Sequence, residues 1–127
     1  MNDAKTIAII GASSNREKYG NKAVRAYRDQ GYTVYPVNPR AGSIEGLKCY
    51  ASLLDIPGPV EMASVYLPPA LTYQVLDELK QKGVQTVFLN PGTENAHVIE
   101  KAQALGLNIV QACSIVAVGK SPAQYPG

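Results

Sequence analysis

The chain has 127 residues, 46% of them hydrophobic, with twelve Lys and Arg against ten Asp and Glu and a formal net charge of +2. This size fits one domain with an ordinary buried core, and we expect it to leave no room for a separate catalytic domain. The balanced charge argues against nucleic acid or a membrane as partner, and the hydrophobic fraction excludes a disordered chain.

The sequence also indicates the cell compartment and argues against disulfide or metal sites. No apolar run could span a membrane, and residues 1–5 lack the pattern of a signal peptide, so we expect a cytoplasmic protein. Cys49 and Cys113 are widely spaced, which argues against a disulfide scaffold or a zinc site. His97 is the only histidine, and no metal site is predicted.

Five segments rich in β-branched and apolar residues predict strands, at 6–10, 33–37, 62–67, 84–89 and 107–110. Several are apolar nearly throughout, as parallel strands covered on both faces are. Apolar residues at helical spacing predict helices around 23–27, 71–79 and 98–105.

The predicted helices share one ending: each runs into a glycine and then a strand, at Gly31, Gly83 and Gly106. Glycine beyond a helix end adopts the left-handed conformation at little cost, so these junctions predict alternating β and α elements. The predicted fold class is α/β, a Rossmann-like doubly wound parallel sheet of about five strands forming one domain over 1–127.

Two stretches are less regular. Residues 40–59 contain several Gly and Pro, with one helical turn predicted at 52–55 and enough apolar residues to anchor an ordered connection. The tail from about residue 119 has no periodicity and is a candidate mobile segment.

The first candidate site is the turn after the first strand, Gly11-Ala12-Ser13-Ser14. Open parallel sheets bind ligands at this edge, and the following helix N-terminus favours an anion such as a diphosphate. The match to Gly-x-Gly-x-x-Gly is poor, because serine occupies the second glycine position. An ordinary turn whose serines cap the helix is the alternative interpretation.

The end of the second strand distinguishes between ligands. An NAD site usually has an acid there, whereas this chain has Asn38-Pro39-Arg40, which counts against NAD. Arginine suits a phosphate on the ribose, as in NADP or coenzyme A, and a solvated surface arginine is the alternative. Basic residues on the first helix and before it either raise the potential for a polyphosphate or form a solvated face; they are Arg16, Lys18, Lys22 and Arg25.

Four stretches occur in order along the chain: 11–13, 31–40, 49–57 and 67–69. Together they resemble the stand-alone CoA-binding domain family, which is similar to the N-terminal domain of the succinyl-CoA synthetase α subunit. The stretch Gly-Tyr-x-Val-Tyr-Pro-Val-Asn-Pro is its most specific part, and the resemblance extends to about Cys113. It implies a Rossmann-like fold that holds the CoA nucleotide on the turns after the first three strands.

The resemblance also implies residue roles. The diphosphate would be lined by Gly11, Ala12, Ser13 and Ser14, and the ribose with its phosphate would be flanked by Asn38, Pro39 and Arg40. The apolar wall beside the adenine would be Leu67, Pro68 and Pro69, although Pro69 is also a good first residue of a helix. Arg16 and Lys22 join the candidate set as nearby cations.

The chain departs from the family where the pantetheine arm would lie. Phe88-Leu89-Asn90-Pro91-Gly92 replaces a stretch that usually contains tryptophan and glutamine, and Ala112 replaces a basic residue. Cys113 is either a thiol partner of CoA or a small buried hydrophobe. The synthetase's phosphorylated histidine belongs to another domain, so we expect His97 to be an exposed surface residue.

These observations predict a protein that binds coenzyme A or an acyl-CoA as a non-catalytic or accessory nucleotide-binding module, with no catalytic residue assigned. One alternative is a small NADP-dependent oxidoreductase, for which the length leaves no substrate domain. The other is a regulatory interaction protein with a degenerate nucleotide site, which the departures near Asn90 and Ala112 keep open.

Overall fold

The computed structural model describes residues 5–127, in which strands and helices alternate. The strands are β1 (Thr6–Ile10), β2 (Thr33–Val37), β3 (Ser43–Ile44), β4 (Leu47–Lys48), β5 (Met62–Val65), β6 (Thr86–Leu89) and β7 (Ile109–Val110). The helices are α1 (Tyr19–Asp29), α2 (Pro69–Lys82), α3 (Ala96–Ala104) and α4 (Ser114–Ala117), with 3-10 turns at Leu53–Asp55 and Pro122–Gln124. No helix of the described chain is long and apolar enough to cross a membrane.

Five parallel strands form the main sheet, in the order β2-β1-β5-β6-β7. The chain runs from β1 outward to β2 and then crosses back to β5, so the strand order reverses beside β1. In open parallel sheets the ligand crevice lies at such a reversal, outside the carboxyl ends of the strands. The predicted α/β, doubly wound, five-stranded sheet is confirmed.

The core consists of two layers, one on each face of the sheet. Successive β1 side chains alternate between them: Ile7 packs with α1 and α4, whereas Ala8 packs with α2 and α3. Both residues are completely buried. A strand covered on both faces gains from apolar residues at every position, which explains the unbroken apolar run of β1.

The predicted strands and helices are present in the structure, although several of them begin or end at other residues than predicted. The three helix–glycine–strand junctions are present, with φ of 83°, 76° and 72° at Gly31, Gly83 and Gly106. A 3-10 turn occupies 53–55, as predicted, and its N-cap is the Ser52 side chain. Residues 43–48 add an unpredicted two-stranded hairpin, β3–β4.

The segment from residue 119 to 127 differs from the mobile tail suggested by its sequence, because it packs against α1. Tyr125 is 7% exposed, and its hydroxyl donates to the Asp29 carboxylate at 3.0 Å. Pro126 accepts a hydrogen bond from Arg25 at 3.0 Å. These contacts give the segment both apolar burial and polar partners, which composition alone does not show.

Arg25 also differs from its sequence interpretation as part of a solvated cationic face. It is 6% exposed and donates to Asn21, to the carbonyl oxygen of Arg16 and to the tail. Burial lowers its pKa from the ordinary value. That interpretation is wrong for Arg25, because its guanidinium is used to join three segments of the chain.

Candidate functional site

The loops after β1 and β5 meet where the strand order reverses. Gly11 has φ of +90°, and a Cβ atom there would lie 2.3 Å from the Tyr66 carbonyl oxygen. In the first turn of α1, a Cβ on Gly20 would lie 2.4 Å from the Gly11 carbonyl oxygen. Glycine at both positions therefore lets the turn, the β5 loop and α1 pack this closely. The sequence alone does not single out Gly20, because it lies outside the usual glycine spacing.

In the turn after β1, only the second pair of residues, Ser13 and Ser14, has backbone N–H groups available to a ligand. The N–H groups of Gly11 and Ala12 both donate to the Val37 carbonyl oxygen, at 3.1 and 3.3 Å. Within residues 5–127, the N–H groups of Ser13 and Ser14 have no hydrogen-bond acceptor. These two amides are free to bind an anion beside the start of α1.

The serines do not cap α1. Ser13 Oγ accepts from the Asn15 N–H at 3.0 Å, which shapes the turn itself. The N-cap residue of α1 is Lys18, which makes no side-chain capping bond. The helix-cap alternative for these serines is therefore wrong.

Buried polar side chains support the turn from below. Asn21, which is completely buried, donates to the Ser13 carbonyl oxygen at 2.9 Å and to the Glu45 carboxylate at 3.0 Å. Its Oδ1 accepts from Arg25 Nε at 2.8 Å, and Arg25 donates onward to the Arg16 carbonyl oxygen at 2.8 Å. This chain of bonds fixes both ends of the segment from Ser13 to Arg16.

The predicted cations near the turn are placed unequally. Arg16 forms an ion pair with Glu45, with 3.4 Å between Nε and the carboxylate. Lys22 is half-buried, with Nζ 6.0 Å from the Tyr19 ring centroid. Lys18 is exposed at the mouth of the cleft that opens over the turn. Neither Arg16 nor Lys22 lines that cleft.

The turn after β2 is joined to the turn after β1 by Asn38. Its Nδ2 donates to the Ala12 carbonyl oxygen at 2.8 Å, and its Oδ1 accepts from the Arg40 N–H at 2.8 Å. The Arg40 side chain is exposed and forms no ion pair within the described part of the chain. Asn38 thus positions the backbone, whereas the Arg40 charge remains available.

Three adjoining pockets follow the carboxyl edge of the sheet. The Arg40 pocket, of about 520 Å³, lies between the β2 turn and α2; its lining includes Asn38, Pro39, Arg40, Leu53, Leu67 and Leu71. The turn pocket, of about 710 Å³, lies over the β1 turn; its lining includes Gly11, Ala12, Ser13, Lys18, Pro68 and Pro69. The Cys113 pocket, of about 280 Å³, is lined by Tyr19, Tyr66, Asn90, Pro91, Cys113 and Pro122.

Neighbouring pockets share lining residues and so form one groove. Leu67 belongs to the Arg40 and turn pockets, and Tyr66 to the turn and Cys113 pockets. Most of the predicted site residues meet along this groove; the exceptions are Ser14, Arg16 and Lys22. Pro69 is the first residue of α2, as its helix interpretation expects, and it also lines the groove; its role beside the adenine stays a prediction.

A buried polar network forms the floor beside the Cys113 pocket. Ser64 and Ser114 are completely buried, with 2.7 Å between their Oγ atoms. Asn90 donates to Ser64 Oγ at 2.8 Å and accepts from the Ser114 N–H at 2.8 Å. The Tyr66 hydroxyl lies 3.1 Å from Ser114 Oγ, and burial raises the pKa of Tyr66 to about 12. Asn90 therefore has a structural role that its departure from the family pattern did not reveal.

The remaining singled-out residues lie around the groove. Cys113 is partly exposed and forms the N-cap of α4, so it is neither a strand residue nor a fully buried hydrophobe. Cys49 is buried with Sγ 3.6 Å from the Asn38 carbonyl oxygen, and burial raises its pKa. His97 is exposed, as expected, in a separate depression that borders the groove at Pro69 and Gln74.

Comparison with known proteins identifies the family to which this chain is similar. The family model described as a CoA binding domain matches residues 5–119. The ADP-forming acetate–CoA ligase II of Archaeoglobus fulgidus is 42% identical over 117 residues, which cover 83% of this chain and 17% of the ligase. The chain thus spans a small part of that relative's length.

Solved structures show the same fold. A hypothetical protein from Pyrococcus horikoshii OT3 has a TM-score of 0.80 at 37% identity, covering 87% of this chain and 77% of that one. A conserved hypothetical protein from Pyrococcus furiosus has a TM-score of 0.82 at 33% identity, covering 89% of this chain and 98% of that one. With the family match extending over nearly all of the described residues, this chain belongs to the CoA-binding domain family.

Proposed function

We propose that this chain binds coenzyme A, or an acyl-CoA, in the groove at the carboxyl edge of its sheet. The observation that carries the proposal is the order of groups along the groove: the exposed Arg40, the free Ser13 amide with that of Ser14 next to it in the turn, and a smaller, largely apolar pocket. Coenzyme A carries a phosphorylated adenosine, a diphosphate and a pantetheine arm that ends in a thiol, in the same order.

Each part of the ligand has a chemical match. Arg40 would form a charge-assisted contact with the phosphate on the ribose. The adenine would lie against Leu67 and Leu71 in the Arg40 pocket. The diphosphate would accept from the Ser13 and Ser14 amides at the start of α1. The pantetheine arm would then follow the turn pocket toward Cys113.

The candidate cations outside the lining are assigned a weaker role. Arg16 and Lys22 would add positive potential beside the diphosphate without touching it, and Arg16 is partly neutralised by Glu45. Lys18 lies at the cleft mouth and is the better placed of the nearby cations.

An accessory role without chemistry of its own is part of the proposal, as is a cytoplasmic location. The lining of the three pockets contains no histidine, and its carboxylates, Glu17 and Glu78, line different pockets. A pair of carboxylates or a nucleophile with an adjacent base is the usual basis of hydrolytic or acyl-transfer chemistry. The ligase activity named for the Archaeoglobus relative belongs to a protein of which this chain matches 17%.

Calorimetric titration with coenzyme A, dephospho-CoA, NADP and NAD tests the proposal. Coenzyme A should bind most tightly. Arg40→Ala should weaken coenzyme A by about ten- to a hundredfold and leave dephospho-CoA nearly unchanged, because only the former carries the ribose phosphate. Lys80→Ala, which removes an exposed cation at the far end of α2, is the matched control and should change neither.

Two results would contradict the proposal. Binding of NADP without coenzyme A would favour the oxidoreductase alternative, which shares Arg40. Absence of binding to all four ligands would favour a degenerate nucleotide site. Equal losses for coenzyme A and dephospho-CoA in Arg40→Ala would keep the ligand and move the ribose phosphate to Lys18.

A further inference from the structure

The Cys113 pocket is the narrow end of the groove and differs chemically from the rest. Its volume of about 280 Å³ exceeds what a thiol alone needs. Its six lining residues include no Asp, Glu, Lys, Arg or His. The Asn90 amide is already engaged, because its Nδ2 donates to Ser64 Oγ and the Val65 carbonyl oxygen and its Oδ1 accepts from Ser114.

The network beside this pocket has one hydroxyl hydrogen more than it can use internally. Ser64, Ser114 and Tyr66 contribute three hydroxyl groups joined by two contacts, of 2.7 Å and 3.1 Å. Asn90 donates to Ser64 Oγ, so Ser64 already receives one bond there. Two contacts can accommodate two hydroxyl hydrogens, and the third must find its acceptor outside the network.

Burial decides which hydroxyl has the spare hydrogen. Ser64 and Ser114 are completely buried, whereas Tyr66 is partly exposed and lines the pocket. If Ser64 donates to Ser114 and Ser114 donates to Tyr66, both buried hydrogens are bonded. Across the two contacts of 2.7 Å and 3.1 Å, every other arrangement leaves a buried serine hydrogen without an acceptor, which is strongly disfavoured.

In this arrangement the Tyr66 O–H is the hydroxyl left to donate, and Tyr66 lines the Cys113 pocket. Burial raises the pKa of Tyr66 to about 12, so the phenol keeps this proton throughout the neutral range. A phenol that already accepts from Ser114 is also a better donor, because hydrogen bonds in a chain polarise one another.

We propose that the Cys113 pocket is an acyl subsite, in which the Tyr66 hydroxyl donates a hydrogen bond to the carbonyl oxygen of a short, uncharged acyl thioester. This inference rests on the proposed coenzyme A binding and makes the preferred ligand an acyl-CoA. Acyl chains that end in a carboxylate are disfavoured, because no cation lines the pocket to pair with the charge.

Calorimetric titration with four ligands separates the contributions of pocket filling, the carbonyl oxygen and a terminal charge to affinity. The ligands are coenzyme A, acetyl-CoA, S-ethyl-CoA and succinyl-CoA. S-ethyl-CoA fills the pocket like acetyl-CoA but is a thioether without a carbonyl oxygen. Acetyl-CoA should bind about three- to tenfold more tightly than S-ethyl-CoA, the range of one neutral hydrogen bond. Succinyl-CoA should bind about tenfold or more weakly than acetyl-CoA.

Tyr66→Phe removes the donor and keeps the ring. It should abolish the preference for acetyl-CoA over S-ethyl-CoA, measured as the ratio of the two affinities within the same variant. Tyr19→Phe is the matched control, since Tyr19 lines the same pocket and its hydroxyl has no part in the network. It should retain the preference.

The outcomes distinguish this inference from the proposed function. If coenzyme A does not bind the wild-type protein, the proposed function fails. If coenzyme A binds but acetyl-CoA and S-ethyl-CoA bind equally, only the acyl subsite fails. Loss of the preference in Tyr19→Phe instead of Tyr66→Phe would also overturn it. If Tyr66→Phe does not fold, the wild-type comparison of the two ligands still decides.

Discussion

The two ends of the groove are built in different ways. At the Arg40 end, the site consists of turns that follow β1 and β2 directly, and Asn38 connects them through backbone atoms. At the Cys113 end, the floor is assembled from Ser64, Asn90 and Ser114, which are 24 to 50 positions apart in the chain. The first end is thus built mainly from the backbone groups of two turns that Asn38 holds together, whereas the second is built from bonds between the side chains of separate elements.

Because the two ends are built differently, they should respond differently to substitution. A turn defined by backbone conformation tolerates changes of exposed side chains, but a Cβ atom added at one of its glycines would destabilise it. A buried polar network is sensitive at every member, because each lost partner leaves another group unsatisfied. Substitutions at the two ends should therefore produce different patterns of stability and ligand affinity.

The largest expected effect is at Gly11. In Gly11→Ala the new Cβ atom would lie 2.3 Å from a backbone oxygen, at a residue with φ of +90°. We expect a loss of roughly 3 kcal/mol or more in the free energy of unfolding, measured by urea denaturation. Gly42→Ala is the control, since nothing lies within 4 Å of its added Cβ. A loss below about 0.5 kcal/mol in Gly11→Ala would mean that the turn is not built as described.

A smaller effect is expected at the other end, in Asn90→Ala. The change leaves Ser64 Oγ, the Ser114 N–H and the Val65 carbonyl oxygen without the Asn90 partner. We expect a loss of about 2–3 kcal/mol by urea denaturation, because buried unsatisfied groups are costly. Asn108→Ala, at an exposed position, should stay within about 0.5 kcal/mol of the wild type.

Asn90→Ala also sharpens the comparison of the two ends through ligand binding. At a temperature where Asn90→Ala remains folded, it should reduce the preference for acetyl-CoA over S-ethyl-CoA. Adding Arg40→Ala to it should weaken coenzyme A by the same factor as in the wild-type background. Parallel losses for all ligands would show that the two ends are not separable.

The smallest expected effect concerns Glu45 on the β3–β4 hairpin. The hydrogen bond from Asn21, followed by the neighbouring arginines, lowers the pKa of Glu45 below its ordinary value. A depressed pKa contributes stability that is present above the unfolded-state pKa, about 4.3, and is lost as the pH falls through the folded-state value.

Glu45→Gln should therefore be destabilised at pH 7 by about 0.5 kcal/mol, the range of a partly exposed ion pair. The difference from the wild type should be smaller at about pH 3, because it is lost as the pH falls from the unfolded-state pKa, about 4.3, through the lower folded-state value. Urea denaturation at the two pH values measures it, with Glu100→Gln as an exposed control. A difference that grows at low pH would have the wrong sign.

Prediction from sequence worked best where the signal was local. The alternation of strands and helices, the glycine junctions and the turn at Gly11 were all visible, because each depends on a few neighbouring residues. The proximity of Asn38 and Arg40 to that turn followed from the topology of parallel sheets. The ligand roles of these residues remain predictions that the titrations test.

Prediction failed where a polar residue was used inside the structure. The helical spacing groups Arg25 with the exposed cations of α1, yet it is buried and bonds to Asn21, the Arg16 carbonyl oxygen and the tail. Helical spacing showed which side of α1 it occupies but could not show that residues a hundred positions later cover that side. The packing of residues 119–127 is not visible in the sequence for the same reason, because their partners on α1 are about a hundred positions away.

The sequence by itself determined the α/β class, the order of the elements and the position of the first turn, because hydrophobic period and glycine placement act over short distances. Only the tertiary structure decided which polar groups are buried, that Gly20 is confined against the Gly11 carbonyl, and that Ser64, Asn90, Ser114 and Tyr66 meet at one pocket. Those features depend on crossovers that bring distant segments together, and no local pattern encodes which hydroxyl is left with a hydrogen to donate.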